Sequence, residues 1–164
     1  MGEFINDNAF SKKYEILLAR EFTEKGYNVE LAPDKKFLDW DLLIDNTIGI
    51  EVKADKDDAS LRDNPNIVIE WKSNGMPSGI QASKAKWYVY FYTRRNPDCW
   101  GTIRKKNIET YKVDVSLLKE YIKIPIVRNR IEKFEKADNN TWGYLIPISI
   151  LVNKNIAVKI NPLK

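Results

Sequence analysis

Asp41, Glu51 and Lys53 are the side chains whose types and spacing could do chemistry. They lie in DWDLLIDNTIGIEVKAD, residues 39–55, where two apolar runs flank Asp45-Asn46-Thr47. This is the pattern of a β-hairpin with a loop of about three residues. Pairing positions that sum to 92 sets Asp41 opposite Glu51 and Asp39 opposite Lys53. Trp40, Leu42 and Ile44 then share a buried face with Ile48, Ile50 and Val52. Asp41, Leu43, Gly49, Glu51 and Lys53 take the other face. Residues directly opposite have Cβ atoms roughly 5 Å apart, and like charges there repel. A divalent cation between the two carboxylates removes that repulsion. Oxygen donors of this kind suit Mg²⁺, for which Mn²⁺ can substitute. Lys53 stands where it can orient or polarise a water activated by such an ion. The competing reading is a polar sheet face with an Asp39–Lys53 salt bridge and two solvated acids.

Composition narrows the chemistry further. The chain has 164 residues, 43% hydrophobic and 30% charged, enough for a single domain with a real core. It contains no histidine, which rules out Ser-His and Cys-His nucleophiles and histidine-ligated zinc. Cys99 is the only cysteine, so there is no disulfide framework and a reducing compartment is expected. Acid–base and metal work must fall to Asp, Glu and Lys. No phosphate-binding glycine motif occurs. A net charge of +4 mildly favours an anionic partner. No apolar run is long enough for a bilayer, and the first residues do not read as a secretory signal. A cytoplasmic protein with no membrane partner is expected.

Several elements must position these groups. Residues 7–25 read as an amphipathic helix, with Phe10, Tyr14, Leu17, Leu18 and Phe22 as its stripe and Gly26 past its end. Glu15 falls at the edge of that stripe, and Glu21 is a rival acid. Residues 27–31 form a short strand and residues 66–72 (NIVIEWK) a third long one. Glu70 repeats the Glu-x-Lys spacing with Lys72 but has no facing aspartate, so it is either an accessory acid or an ordinary strand glutamate. Residues 80–86 read as a short helix that brings Gln81, Ser83 and Lys84 to the site, with solvated residues as the alternative. Residues 87–92 (WYVYFY) read as a buried central strand of a mixed α/β sheet. Arg94, Arg95, Arg104, Lys105 and Lys106 surround Trp100, and Arg128, Arg130 and Lys133 form a second basic cluster, on an expected helix 127–136. Such residues hold backbone phosphates, and the aromatic can stack on a base. Solvated charge is the competing reading. Asp114 or Ser116 caps a helix through residue 123; residues 142–152, interrupted by Pro147, are an edge strand or a strand running into a turn, and residues 156–160 a last strand.

A helix with Glu15, then Asp41, then Glu51-Val52-Lys53 resembles the PD-(D/E)xK nuclease superfamily, especially Holliday-junction-resolvase-like and phage-type members. NIVIEWKSNGMPSGIQASKAKWYVYFY looks like the segment that follows the catalytic lysine in phage-type members. The resemblance covers roughly residues 8–92; Trp40 stands where many members have a proline before the aspartate. It implies a restriction-endonuclease-like mixed β-sheet flanked by helices, as one domain over 1–164 with its core in 8–92 and a basic C-terminal α/β extension over 93–164. It implies a Mg²⁺-dependent DNA endonuclease that leaves 5′-phosphate and 3′-hydroxyl ends; the lysine-, asparagine- and isoleucine-rich composition suggests an AT-rich genome, of a phage or bacterium. Asp41, Glu51 and the Val52 carbonyl would ligate the metal. Glu15 would complete its shell, and Lys53 would orient and help deprotonate the water. Glu70, Ser83 and Lys84 become more plausible neighbours of the site. Double-stranded or branched DNA is the expected partner, and cutting both strands would require a homodimer. A non-catalytic DNA-binding protein and an RNA-processing nuclease are the alternatives.

Overall fold

Residues 87–93, WYVYFYT, alternate tyrosines with other large side chains, and this alternation sets the layers of the fold. The computed structural model describes residues 2–33, 39–55, 65–93, 108–125, 127, 132–136 and 140–161. The strand Trp87–Thr93 (β6 below) sends Tyr88, Tyr90 and Tyr92 to one face and Val89 and Phe91 to the other. All five are buried, as a central strand requires.

In chain order the elements are α1 (Gly2–Glu24), β1 (Val29–Leu31), β2 (Leu42–Ile44), β3 (Ile48–Asp55), β4 (Asn66–Ser73), β5 (Met76–Pro77) and β6. There follow β7 (Ile108–Asp114), α2 (Val115–Lys123), β8 (Glu132–Lys136), β9 (Thr141–Pro147), α3 (Ile148–Asn153) and β10 (Ala157–Ile160). Two sheets result. The larger has the order β1-β2-β3-β6-β7-β10, with β3 and β6 parallel and the other pairs antiparallel. The smaller is antiparallel, in the order β5-β4-β9-β8. The chain is therefore mixed α/β.

Helix α1 covers the Val89/Phe91 face. Tyr14 and Leu18 are fully buried there with Leu42, Ile44, Ile50 and Val52. Burial of Leu18 alone contributes roughly 1.5–3 kcal/mol, whereas an exposed helical pair such as Lys12–Glu15 contributes about 0.2–0.5. The packed stripe, not the surface charge, fixes the helix. Gly26 ends it at φ +89, with its N–H donating to Thr23 O. The tyrosine face packs on Ile67 and Ile69 of β4, Tyr144 and Ile146 of β9, and apolar residues of α2 and α3. Two tyrosine hydroxyls tie β4 to β6: Val68 N–H donates to Tyr90 Oη, and Tyr92 Oη donates to Asn66 O, both at 3.1 Å.

Five features differ from the sequence-based expectation. Strand β4, expected to cross over into β6 within one mixed sheet, lies in a second sheet, and both edges of β3 and of β6 are taken by other strands. Residues 79–82 form a turn, not a helix; Gly79 sits at φ +49, and Ile80, Gln81 and Ser83 N–H donate to Glu70, Ser78 and Gly79 carbonyls. The residues after 93 are not an appended extension: β7 and β10 complete the main sheet, and β9 pairs along β4. Part of the helix expected over 127–136 is instead β8, and the strand expected over 142–152 stops at Pro147 and continues as α3. The cap at Asp114 holds: its carboxylate accepts from Leu117 N–H at 2.9 Å.

Candidate functional site

The hairpin pairs as its parity requires, Leu42 with Ile50, Leu43 with Gly49 and Ile44 with Ile48. Beyond Leu42 the ladder changes. Asp41 N–H donates to Ile50 O at 2.8 Å, so Asp41 and Leu42 both address Ile50. That is the form of a β-bulge, and one extra residue reverses the parity of what precedes it. Trp40 accordingly packs against the opposite core from Leu42, where a Cβ on Gly49 would lie 3.2 Å from Trp40 Cβ. Its expected place on the Leu42 face is thus corrected. Asp39 is likewise carried away from Lys53. Its carboxylate pairs with Lys84 Nζ at 2.8 Å, and its carbonyl accepts from Lys84 N–H.

The bulge turns Asp41 toward β3. Its Oδ2 accepts from Val52 N–H at 2.7 Å. A strand residue's N–H and C=O point to the same side, so the Val52 carbonyl is directed to the Asp41 side as well. Glu51 and Lys53 project from the tyrosine face of β3 and pair, Nζ to Oε1, at 2.7 Å. Strand register sets Glu51 beside Tyr88 and Lys53 beside Tyr90. The Lys53 ammonium lies 5.7 Å from the Tyr88 ring centroid.

The turn over residues 78–86 closes this face. Ser83, 3% exposed, directs its hydroxyl toward Asp39 O and Glu51 Oε2, each at 3.5 Å, and accepts from Ala85 N–H. Lys119 of α2 donates to Ser83 O at 3.1 Å. Glu70 lies under the turn, near enough to Tyr88 to disfavour its ionisation.

Electrostatics separates the roles. Burial, then the Glu51 charge, pushes the Asp41 carboxyl up to about 6, against the Val52 N–H and Lys53. Glu15 adds to the push, so α1 brings that carboxylate within electrostatic reach. Burial alone would lower the Lys53 pKa; Glu51, Tyr88 and Asp41 outweigh it, and the group is held as an ammonium. The Tyr88 phenol is raised by burial despite Lys53, so it is neutral and a donor. Burial and Lys123 lower Lys119.

Asp41, Glu51, Val52 and Lys53 thus come together, with Glu15 in electrostatic range of Asp41 and Glu70 in range of Tyr88. Lys84 is turned to Asp39. Glu21 is buried on α1. Gln81 faces the Trp71 indole and carbonyl. Arg94, Arg95, Trp100, Arg104, Lys105, Lys106, Arg128 and Arg130 lie outside the described residues. Lys133 is exposed on β8. Ser83, Tyr88 and Lys119 are the neighbours that sequence reasoning undervalued or missed. Pro77 and Gly79 just before Ser83 signal a turn, whereas nothing in the helix pattern singles out Lys119. Among the described residues no three carboxylates or thiols gather into a ready-made metal cage, and no helix is long and apolar enough to cross a membrane. No protein-family model matches the chain, and no curated protein matches its sequence.

Proposed function

We propose that this chain is a divalent-cation-dependent DNA endonuclease on a restriction-endonuclease-like core, as its resemblance to the PD-(D/E)xK superfamily implies. The observation that carries the reading is the convergence of Asp41 and the Glu51–Lys53 pair where the chain entering β2 meets β3. The donor set fits a hard cation: two carboxylates and a carbonyl, with one carboxyl whose ionisation burial and a neighbouring charge oppose. Asp41, Glu51 and the Val52 carbonyl would hold the ion, and Glu15 would complete the shell directly or through a water. Bound there, Mg²⁺ would activate the attacking water and offset charge building on the phosphate.

The remaining work falls to the chain's own groups. Water oxygen attacks phosphorus, the bond to O3′ breaks, and the 3′ oxygen leaves with a proton, giving 5′-phosphate and 3′-hydroxyl ends. Lys53 as an ammonium orients the water or holds a phosphate oxygen. Glu51 favours its charged form in the metal-free site, and its expected help in deprotonating the water stays part of the proposal. Basic side chains outside the described residues supply the expected DNA contacts.

The test is cleavage of supercoiled plasmid and branched DNA with Mg²⁺, by wild type and Lys53→Ala. The reading expects cleavage that chelation stops and the substitution slows by orders of magnitude. Equal activity in both proteins, or none in either, contradicts it. The absence of a third gathered acid among the described residues favours a second reading, a non-catalytic DNA-binding protein. That protein would bind DNA in a salt-dependent way that chelation leaves unchanged.

A further inference from the structure

The Tyr88 hydroxyl is buried in a residue 2% exposed and makes no hydrogen bond within normal limits. A buried donor without an acceptor is unfavourable, and phenylalanine would fill the same space without it. A group kept in that state calls for an explanation. Tyr88 stands beside Glu51 on the adjoining strand; Ser83 is the hydrogen-bonding side chain that acts on its phenol, and Lys53, Glu51 and Glu70 act through charge. Ser83 is in a similar condition. Its Oγ, with a single proton to donate, lies 3.5 Å from two acceptors, Asp39 O and Glu51 Oε2, at the outer limit for either. Two buried hydroxyls with little committed donor capacity therefore adjoin Glu51. Lys53 holds Oε1 at 2.7 Å, and Ser83 faces Oε2.

We propose that Ser83 and Tyr88 are positioning residues that keep the Glu51 carboxylate in aim when Lys53 turns from it toward a phosphate oxygen. This rests on the nuclease reading. An ammonium drawn to an anion loosens its hold on Glu51, and a half-buried carboxylate then swings unless other donors catch it. The turn that carries Ser83 is built to stay in place. Lys84 N–H donates to Asp39 O, Lys119 grips Ser83 O, and Gly79 packs so closely on Glu70 that an added Cβ would lie 2.6 Å from its carbonyl oxygen.

The experiment compares Tyr88→Phe, Ser83→Ala and Ser83→Thr with wild type in three readouts: single-turnover cleavage, Mn²⁺ affinity by calorimetry, and Tm. Supporting groups behind metal ligands typically change activity or metal affinity by about 10–100-fold. Tyr88→Phe is expected to hold or raise Tm while slowing cleavage and weakening Mn²⁺ binding in that range, with KM for DNA unchanged. Ser83→Ala is expected to do the same, and Ser83→Thr to recover most of it. Cleavage and Mn²⁺ affinity at wild-type levels in both Tyr88→Phe and Ser83→Ala overturn the proposal. So do losses that only follow a fall in Tm. Should wild type bind Mn²⁺ but not cut, the nuclease reading fails, while the calorimetric comparison still decides whether the two hydroxyls hold Glu51.

Discussion

Lys53 Nζ and Glu51 Oε1 lie 2.7 Å apart on one face of one strand, two residues from each other. A neighbouring carboxylate holds that ammonium charged, and the same carboxylate opposes ionisation of Asp41 across the hairpin. One acid therefore acts on both partners, favouring the charged form of Lys53 and adding to the effect of burial at Asp41.

Removing the ammonium should separate chemistry from binding. Lys53→Ala is predicted to slow Mg²⁺-dependent cleavage by roughly 10²–10⁴-fold, the usual contribution of a positioned proton-handling or orienting group. Its DNA affinity, read by fluorescence anisotropy, should change far less.

Asp41 predicts the pH behaviour. Its folded pKa of about 6 is raised from 3.8, so the fold is relatively favoured below pH 3.8 and loses that increment as pH rises through 6. A shift of this size corresponds to about 3 kcal/mol at most. Asp41→Asn keeps an oxygen for Val52 N–H. Without divalent cation it is predicted to raise Tm at pH 7.5 and to leave it near wild type at pH 3.5.

Cation binding should follow the same group with the opposite sign. The proton on Asp41 must leave before the carboxylate can ligate, so affinity should fall as pH drops below about 6. Mn²⁺ should raise the wild-type Tm more at pH 7.5 than at pH 5. Asp41→Asn should lose most of that difference.

Gly79 tests the turn that closes the site. At φ +49, with Glu70 Cβ and O each 2.6 Å from an added Cβ, alanine meets both strain and backbone overlap. Gly79→Ala is predicted to destabilise by on the order of 2 kcal/mol or more in urea denaturation. Gly75→Ala, with nothing within 4 Å of its added Cβ, should cost less, since only its φ of +76 opposes the change.

How far the sequence could be read depends on the kind of physics involved. Hairpin parity was legible because strand side chains alternate with period 2 and Asp45-Asn46-Thr47 closes the loop; Asp45 and Asn46 indeed take positive φ. The bulge at Asp41 was not legible, since one extra residue leaves no mark in composition, yet it moves Trp40 to the other face and Asp39 from Lys53 to Lys84. The strand WYVYFY declared its burial, whereas β7, with Glu109, Lys112 and Asp114 among its apolar residues, did not declare itself a strand. Assigning β4 to a second sheet required knowing which strand edges were already occupied, and pairing of edges is decided by tertiary contacts.

The most direct measurement is a crystal soaked in Mn²⁺ and recorded at a wavelength where manganese scatters anomalously. The account predicts one strong peak within about 2.0–2.4 Å of carboxylate oxygens from both Asp41 and Glu51. A well-soaked crystal with no peak between them, or with manganese bound only elsewhere on the chain, would contradict it.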